Sequence, residues 1–300
     1  MQNADAKIVV LGTGGTLAGS ADDPADNVGY RAAQVGVAEL IGRLPGLADV
    51  ALQTEQVAQI DSKDMSFAIW RTLTDRVAYH VDRSDVAGVV VTHGTDTLEE
   101  TAYLLQRVLA PDKPVVLTAA MRPSTALLSD GPQNLVDAIR VARHPGAHGV
   151  VAVLAGRIHG ALDLRKCHTY RVDAFDSGDA GALGVVEEGR LTMWRPWPAG
   201  EALGSRLLAR ERPPRVAIVT SHGDADGGIV VAGTGNGTLH RRLEAALLRA
   251  RDDGGVQVLR CSRIGRGAVV PTANDCFESA GALTAGQARV ELLLRLLAAA

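Results

Sequence analysis

Ile8-Val9-Val10-Leu11-Gly12-Thr13-Gly14-Gly15-Thr16 and Val86-Ala87-Gly88-Val89-Val90-Val91-Thr92-His93-Gly94-Thr95-Asp96-Thr97 share one plan: an apolar run leading straight into a small-residue turn that bears threonines. Short apolar runs bounded by glycine read as strands buried on both faces. A hydroxyl on the turn at the carboxyl end of such a strand lies where an open α/β sheet places its ligands. Val115 to Leu117 and Val150 to Leu154 are further runs of this type, and segments of helical period separate several of them. That alternation is the pattern of βαβ units and a parallel sheet.

Two helix starts can be placed beside the turns. Thr97 and Glu100 have the spacing of a capping box ahead of Tyr103, Leu104 and Val108, so the amino end of that helix points back at Thr95 and Asp96. Asp130-Gly131-Pro132-Gln133 opens a second helix through Leu135, Ile139 and Val141. From Trp194 to Pro214 the chain carries Pro196, Pro198, Gly200, Pro213 and Pro214, which reads as a linker with a short helix around Ser205 to Ala209. The expected organisation is therefore α/β in two domains. Residues 1–193 form the larger domain around a doubly wound, flavodoxin-like parallel sheet, 194–214 the linker, and 215–300 a smaller α/β domain. In the latter, Val216 to Val219, Ile229 to Ala232 and Val256 to Leu259 read as strands, and Thr284 caps a last helix through Leu297.

Composition narrows the function classes. The chain has 300 residues, 46% of them apolar and 22% charged, with a net charge of −3, enough to bury a large core. There is no long basic run and few aromatic side chains, so a nucleic-acid groove or stacking platform is not expected. No apolar stretch reaches membrane-spanning length and the first residues lack the regions of a signal peptide, so a cytoplasmic protein is expected. Cys167, Cys261 and Cys276 show no metal-binding spacing. Only Lys7, Lys63, Lys113 and Lys166 are lysines among 31 cationic residues. Where arginine is the default cation, a retained lysine can mark a need for an amine able to lose its proton.

The glycine turns fail as nucleotide fingerprints. Leu17 stands where G-x-G-x-x-G needs its third glycine, Gly233-Thr234-Gly235-Asn236-Gly237-Thr238 fails at the same place, and no P-loop is present. Catalysis by a hydroxyl is the other reading of Thr16 and Thr95, and a threonine hydroxyl must be activated to attack a carbonyl. His93 and Lys166 are the candidate bases. His93 adjoins the turn and points away from the face of Thr92 and Gly94 if the strand continues, which favours a structural role. Lys166 follows in Asp163-Leu164-Arg165-Lys166-Cys167-His168.

These motifs resemble those of the bacterial-type L-asparaginases, a family that includes the glutaminase-asparaginases. Thr13 to Gly19 is similar to the first family signature, Val91 to Thr101 to the second, and Ala120 to Ser124 with Ser129 to Pro132 to the block that follows. The resemblance implies amide hydrolysis through an acyl-enzyme, with no cofactor. Thr16 is then the primary nucleophile, assisted by Tyr30 on a mobile loop. Thr95, Asp96 and Lys166 form a second constellation, and the N–H groups of Thr95 and Ala120 an oxyanion hole. Ser62 and Asp96 hold the α-carboxylate and α-amino groups of the substrate. Lys63 stands where relatives often carry a glutamine or small polar residue; it either tightens carboxylate binding or points to solvent. Asn236 resembles a residue donated to the site of a neighbouring subunit, which implies a homotetramer of two intimate dimers. For the glutamate that relatives also send across, Asp275 and Glu278 are the alternatives, and the preference between asparagine and glutamine stays open. Two further readings are a catalytically silent amino-acid-binding paralogue and, more distantly, an amidotransferase subunit.

Overall fold

The computed structural model describes residues 6–44, 47, 50–209, 229–283, 285, 288 and 291–292. It forms two compact units, one of residues 1–166 and 172–211, the other of 167–171 and 212–300.

The first unit opens with β1 (Lys7–Gly14), α1 (Val37–Gly42), β2 (Leu52–Ile60), α2 (Phe67–Val81), β3 (Val86–Thr92), α3 (Leu98–Leu109), β4 (Val115–Thr118), α4 (Gly131–Arg143) and β5 (Val150–Leu154). It continues with β6 (Arg157–Gly160), β7 (Arg165–Lys166), β8 (Phe175–Asp176), β9 (Gly184–Glu187) and β10 (Arg190–Met193). Eight strands form one sheet in the order β10-β9-β6-β5-β4-β3-β1-β2, and β7 pairs with β8 apart from it. The pairs from β2 through β1, β3 and β4 to β5 are parallel, and β6, β9 and β10 extend the sheet antiparallel.

Both faces of the parallel part are covered, which is why its strands read as unbroken apolar runs. Val9, Leu11, Val89 and Val91 pack on one side with Leu73 and Val77 of α2 and Leu98, Ala102 and Leu105 of α3. Ile8, Val10 and Val90 pack on the other with Leu40 of α1 and Leu135, Ala138 and Ile139 of α4. The order 2-1-3-4-5 reverses direction between β1 and β3, the switch point at which a doubly wound sheet opens a crevice at its carboxyl edge. Thr16 follows β1 and Thr95 follows β3, so both threonine turns stand at that point.

Local chemistry departs from expectation at the two helix starts. Thr97 is the N-cap of α3, but its hydroxyl makes no capping bond and instead donates to the Ser62 carbonyl at 2.8 Å. Asp130 likewise leaves α4 without a side-chain cap and turns its carboxylate on the loop after β4. In both cases a tertiary partner outcompetes the local bond.

The second unit holds β11 (Ile229–Gly233), α5 (Arg241–Gly254), β12 (Val258–Ser262) and β13 (Glu278–Ser279) in a three-stranded parallel sheet ordered β11-β12-β13. β12 begins two residues later than the apolar run from Val256 indicates. The strand expected at Val216 to Val219 lies outside the described residues, as does most of the helix expected from Thr284. The segment around Ser205 is a 3-10 turn over Ser205–Ala209, assigned to the first unit.

Candidate active site

Gly14 and Gly15 end β1 with φ of 102° and 79°, a region L side chains rarely adopt, and Gly15 N–H donates to the Ile60 carbonyl at 2.9 Å. This geometry turns the chain into the 3-10 turn Thr16–Ala18 and brings the Gly15 backbone against that of Gly94. The two threonine turns thus touch main chain to main chain. A Cβ at Gly15 would collide with Gly94 Cα and come within 2.8 Å of the His93 carbonyl carbon. Gly15→Ala is therefore expected to destabilise the protein by roughly 2–4 kcal/mol, from strain at positive φ together with overpacking. Urea unfolding checks it; unchanged stability would contradict the contact.

Beyond the turn the chain loops out and returns. Ser20 and Arg31 form an antiparallel bridge, and Ala18 O accepts from Gln34 and Val35 N–H. Ser124 donates to Gly19 O through both its N–H and its hydroxyl, which ties the loop base to the segment after β4. Tyr30, carried on this loop, places its hydroxyl 2.6 Å from Thr16 Oγ1. Burial, reinforced by the nearby carboxylates of Asp96 and Asp61, pushes the Tyr30 phenol well above its ordinary range, while the Thr16 contact acts the other way. The phenol therefore keeps its proton at neutral pH.

The second group gathers behind β3. Lys166 Nζ donates to Thr95 Oγ1 at 2.7 Å and to Asp96 Oδ1 at 2.8 Å, with the lysine side chain 3% exposed. Lys166 is held from its main chain as well, since its N–H donates to Glu99 Oε2 at 2.6 Å. Ser62 follows β2 in a 3-10 turn, buried, and its hydroxyl accepts from Asp96 N–H at 3.2 Å. Next to it Asp61 titrates above its ordinary range because of burial and the Asp96 charge. Lys63 pairs with Asp64 at 3.3 Å.

The loop after β4 carries Ala120, which is fully buried. Asp130 accepts from the N–H groups of Met121 and Arg122 at 2.9–3.1 Å, and Asn134 donates to Ala119 O at 2.9 Å. Burial raises the Asp130 carboxyl against the pull of those N–H groups.

His93 is fully buried. Nδ1 meets Gly94 O at 2.7 Å and Nε2 meets Thr101 Oγ1 at 3.0 Å, while Trp70 Nε1 donates to that hydroxyl at 2.9 Å. The Gly94 carbonyl only accepts, so the imidazole proton lies on Nδ1, and in the neutral ring Nε2 accepts from the Thr101 hydroxyl, whose oxygen in turn accepts from the Trp70 indole. Burial lowers the His93 pKa to about 4. Between pH 4 and 6.5 the native state then binds fewer protons than the unfolded chain, so the stability this neutral ring contributes is complete above 6.5 and is lost as pH falls toward 4. Nitrogen NMR of the imidazoles is expected to show His93 as the neutral Nδ1–H tautomer at pH 5; a charged ring there would contradict this.

In the second unit, the glycine turn after β11 closes by mutual Thr234 and Thr238 main-chain bonds, at 2.9 and 2.8 Å. Asn236 at its tip donates to Val270 O at 2.8 Å and accepts from Val270 N–H at 2.6 Å. Asp275 pairs with Arg260 and accepts from Thr272 N–H and hydroxyl at 2.9 and 2.8 Å, an inward, structural set of bonds. Glu278 lies exposed on β13. Among the described residues no group of His, Cys, Asp or Glu is arranged to hold a metal ion.

Sequence reasoning did not single out Glu99, Thr97 or Asn134 for this site. Asn134 has no local signal, and Thr97 and Glu99 carry only that of a helix start.

Two hydroxyls, a lysine and carboxylates at the switch point of a doubly wound sheet are the groups an acyl-transfer enzyme needs, and comparison with known proteins places the chain among the amidohydrolases. The family model for the N-terminal part of asparaginase matches residues 7–198. The chain is 36% identical to L-asparaginase 2 of Escherichia coli over 96% of its own length and 88% of the relative's. It is 37% identical to a glutaminase-asparaginase of Pseudomonas fluorescens, over 88% of its length and 77% of the relative's. A crystal structure named as a probable cytoplasmic L-asparaginase from Campylobacter jejuni aligns with a TM-score of 0.70 at 35% identity, covering 97% of this chain and 95% of that one. The chain belongs to the asparaginase family.

Proposed function

We propose that the chain hydrolyses L-asparagine to L-aspartate and ammonia through an ester on Thr16. The observation that carries this reading is the apposition of the two threonine turns at one switch point, with Thr16 Oγ1 against the Tyr30 hydroxyl and Thr95 Oγ1 against Lys166 Nζ. Thr16 Oγ1 attacks the side-chain amide carbon while its proton passes to the Tyr30 oxygen and the phenol's own proton moves on to the amide nitrogen, so that Tyr30 is neutral before and after and works as a relay. The main-chain N–H groups of Thr95 and Ala120 stabilise the oxyanion in both the acylation and deacylation steps without reorganising. Ammonia leaves, and a water held at Thr95 attacks the β-aspartyl ester; its proton is drawn off along the contact between Thr95 and Lys166, and one proton returns to Thr16 Oγ1 through Tyr30 as the ester C–O bond breaks and aspartate is released. Ser62 and Asp96 hold the α-carboxylate and α-amino groups, and the Lys63 charge adjoins that pocket. No cofactor enters the scheme.

Use of glutamine beside asparagine is a second reading, favoured by the likeness to the glutaminase-asparaginase. A homotetramer of two intimate dimers fits a role for the second unit at a neighbour's site. Asn236 then acts there chiefly by bracing Val270, with Asp275 and Glu278 the alternatives for the acid offered to the partner. Cys261 and Cys276 stand as thiols, which suits the reducing cytoplasm. Ammonia release from asparagine and glutamine, measured side by side, tests the proposal: turnover of asparagine is expected, and folded protein that turns over neither amide would overturn it.

A further inference from the structure

We propose that His93 and Asn134 are paired positioning residues, each aiming one of the two oxyanion N–H groups by gripping the far end of the same peptide; this rests on the amidohydrolase reading above. A peptide unit is planar and trans, so its C=O and N–H point in opposite directions and fixing the oxygen fixes the donor. The Thr95 N–H shares its peptide with Gly94 O, which accepts from His93 Nδ1 at 2.7 Å. The Ala120 N–H shares its peptide with Ala119 O, which accepts from Asn134 Nδ2 at 2.9 Å. Two donors from different strand ends are thus held from behind by the same device.

Both gripping side chains are out of reach of water, His93 at 0% exposure and Asn134 at 2%, and neither is free to rotate. His93 is oriented through Nε2 by Thr101, itself set by Trp70. With both ring nitrogens committed, the imidazole has none to offer a substrate. Asn134 takes the Ala155 N–H on Oδ1 at 2.9 Å and lends Nδ2 also to Asp130 Oδ2 at 3.1 Å. A main-chain N–H can only donate and a carbonyl can only accept, so these partners leave one orientation of the amide. Asp130 then takes the next two N–H groups, of Met121 and Arg122, which stops the loop from swinging about Ala120. Donation to a peptide oxygen also polarises the unit and strengthens its N–H as a donor, more so in a dry interior.

The device acts on the transition state, because the oxyanion needs donors aimed where its charge develops. Loosening a donor costs less than deleting one. His93→Leu and Asn134→Leu are each expected to lower kcat for asparagine about tenfold, or about 1.4 kcal/mol of barrier. KM and the dissociation constant for aspartate, read by calorimetry, stay within about twofold, the signature of an interaction made only in the transition state. His93→Asn places an amide nitrogen close to the position of Nδ1, so it is expected to recover most of the rate, with the shape of the pH profile unchanged. A folded His93→Leu with kcat within twofold of wild type would overturn the inference alone, as would loss of an acid limb in His93→Asn or a parallel loss of aspartate binding. Wild-type protein that hydrolyses neither amide would overturn both the inference and the reading it rests on. If Asn134→Leu does not fold, the two His93 variants decide the matter.

Discussion

Thr16→Ala is expected to abolish practical turnover, lowering kcat for asparagine by roughly 10⁴-fold or more, which corresponds to about 5 kcal/mol of activation free energy. The reasoning is chemical. Splitting amide hydrolysis into acylation and deacylation needs an atom that can carry the acyl group as an ester, and Thr16 Oγ1 has the Tyr30 hydroxyl, the proposed proton relay, at 2.6 Å. Alanine deletes that atom and one contact, leaving the Gly15 to Gly94 apposition and the Lys166 group in place. Stability is expected to change by less than about 1 kcal/mol, in the range of one lost hydrogen bond. Aspartate binding is expected to persist, since Ser62 and Asp96, the proposed anchors of the α-carboxylate and α-amino groups, are untouched. Ammonia assays with binding by calorimetry check both halves. Retention of more than a tenth of the wild-type rate would exclude Thr16 as nucleophile.

Lys166→Met is the second large effect. Proton transfer through a positioned side chain contributes about 10²–10⁴-fold, and that range is expected to be lost from kcat. Methionine nearly matches the length of the stem, so packing survives and the loss is chemical. A stability penalty of about 3 kcal/mol is also expected, because the substitution leaves Asp96 without the Lys166 nitrogen that donates to it, in a site where the two side chains are only 3% and 13% exposed. The two variants differ in kind. With Thr16→Ala no ester forms, whereas Lys166→Met is expected to form the ester slowly and to release it more slowly still, so that covalent enzyme accumulates. A Lys166→Met protein with normal kcat would remove the lysine from the reaction.

Much of the sheet was legible because burial on both faces writes itself into sequence as an apolar run, as in β1, β3, β4 and β5. β2 was not, since Leu52–Ile60 lies at the sheet edge and carries Gln53, Glu55, Gln56 and Gln59 among its apolar residues. The short antiparallel strands β6 to β10 are set by pairing partners and carry little local pattern of their own. The helix starts at Thr97 and Asp130 were legible, but the use of their side chains was not. Ser62 O lies 35 residues from Thr97, and only the fold sets that distant carbonyl against the local capping bond.

The candidate site shows the same division. The threonine turns and the retained Lys166 stood out as chemistry in search of geometry, and β7 supplies the geometry by carrying Nζ to Thr95 across 71 residues. The supports, Glu99 on the Lys166 main chain and Asn134 on Ala119, carry no signal because any helix surface offers such residues. His93 was legible as structural from strand alternation, whereas its bond to the neighbouring carbonyl depends on the turn that glycine makes.

The central claim, that the two threonine turns form one amidohydrolase site in which Thr16 carries the ester, is tested most directly by trapping the intermediate. Wild-type and Lys166→Met protein would be mixed with asparagine, quenched in acid, digested and weighed by mass spectrometry. An aspartyl ester on Thr16 in both, more abundant in Lys166→Met and absent from Thr16→Ala, is the expected result. An ester on Thr95 instead, or full turnover by Thr16→Ala, would contradict it.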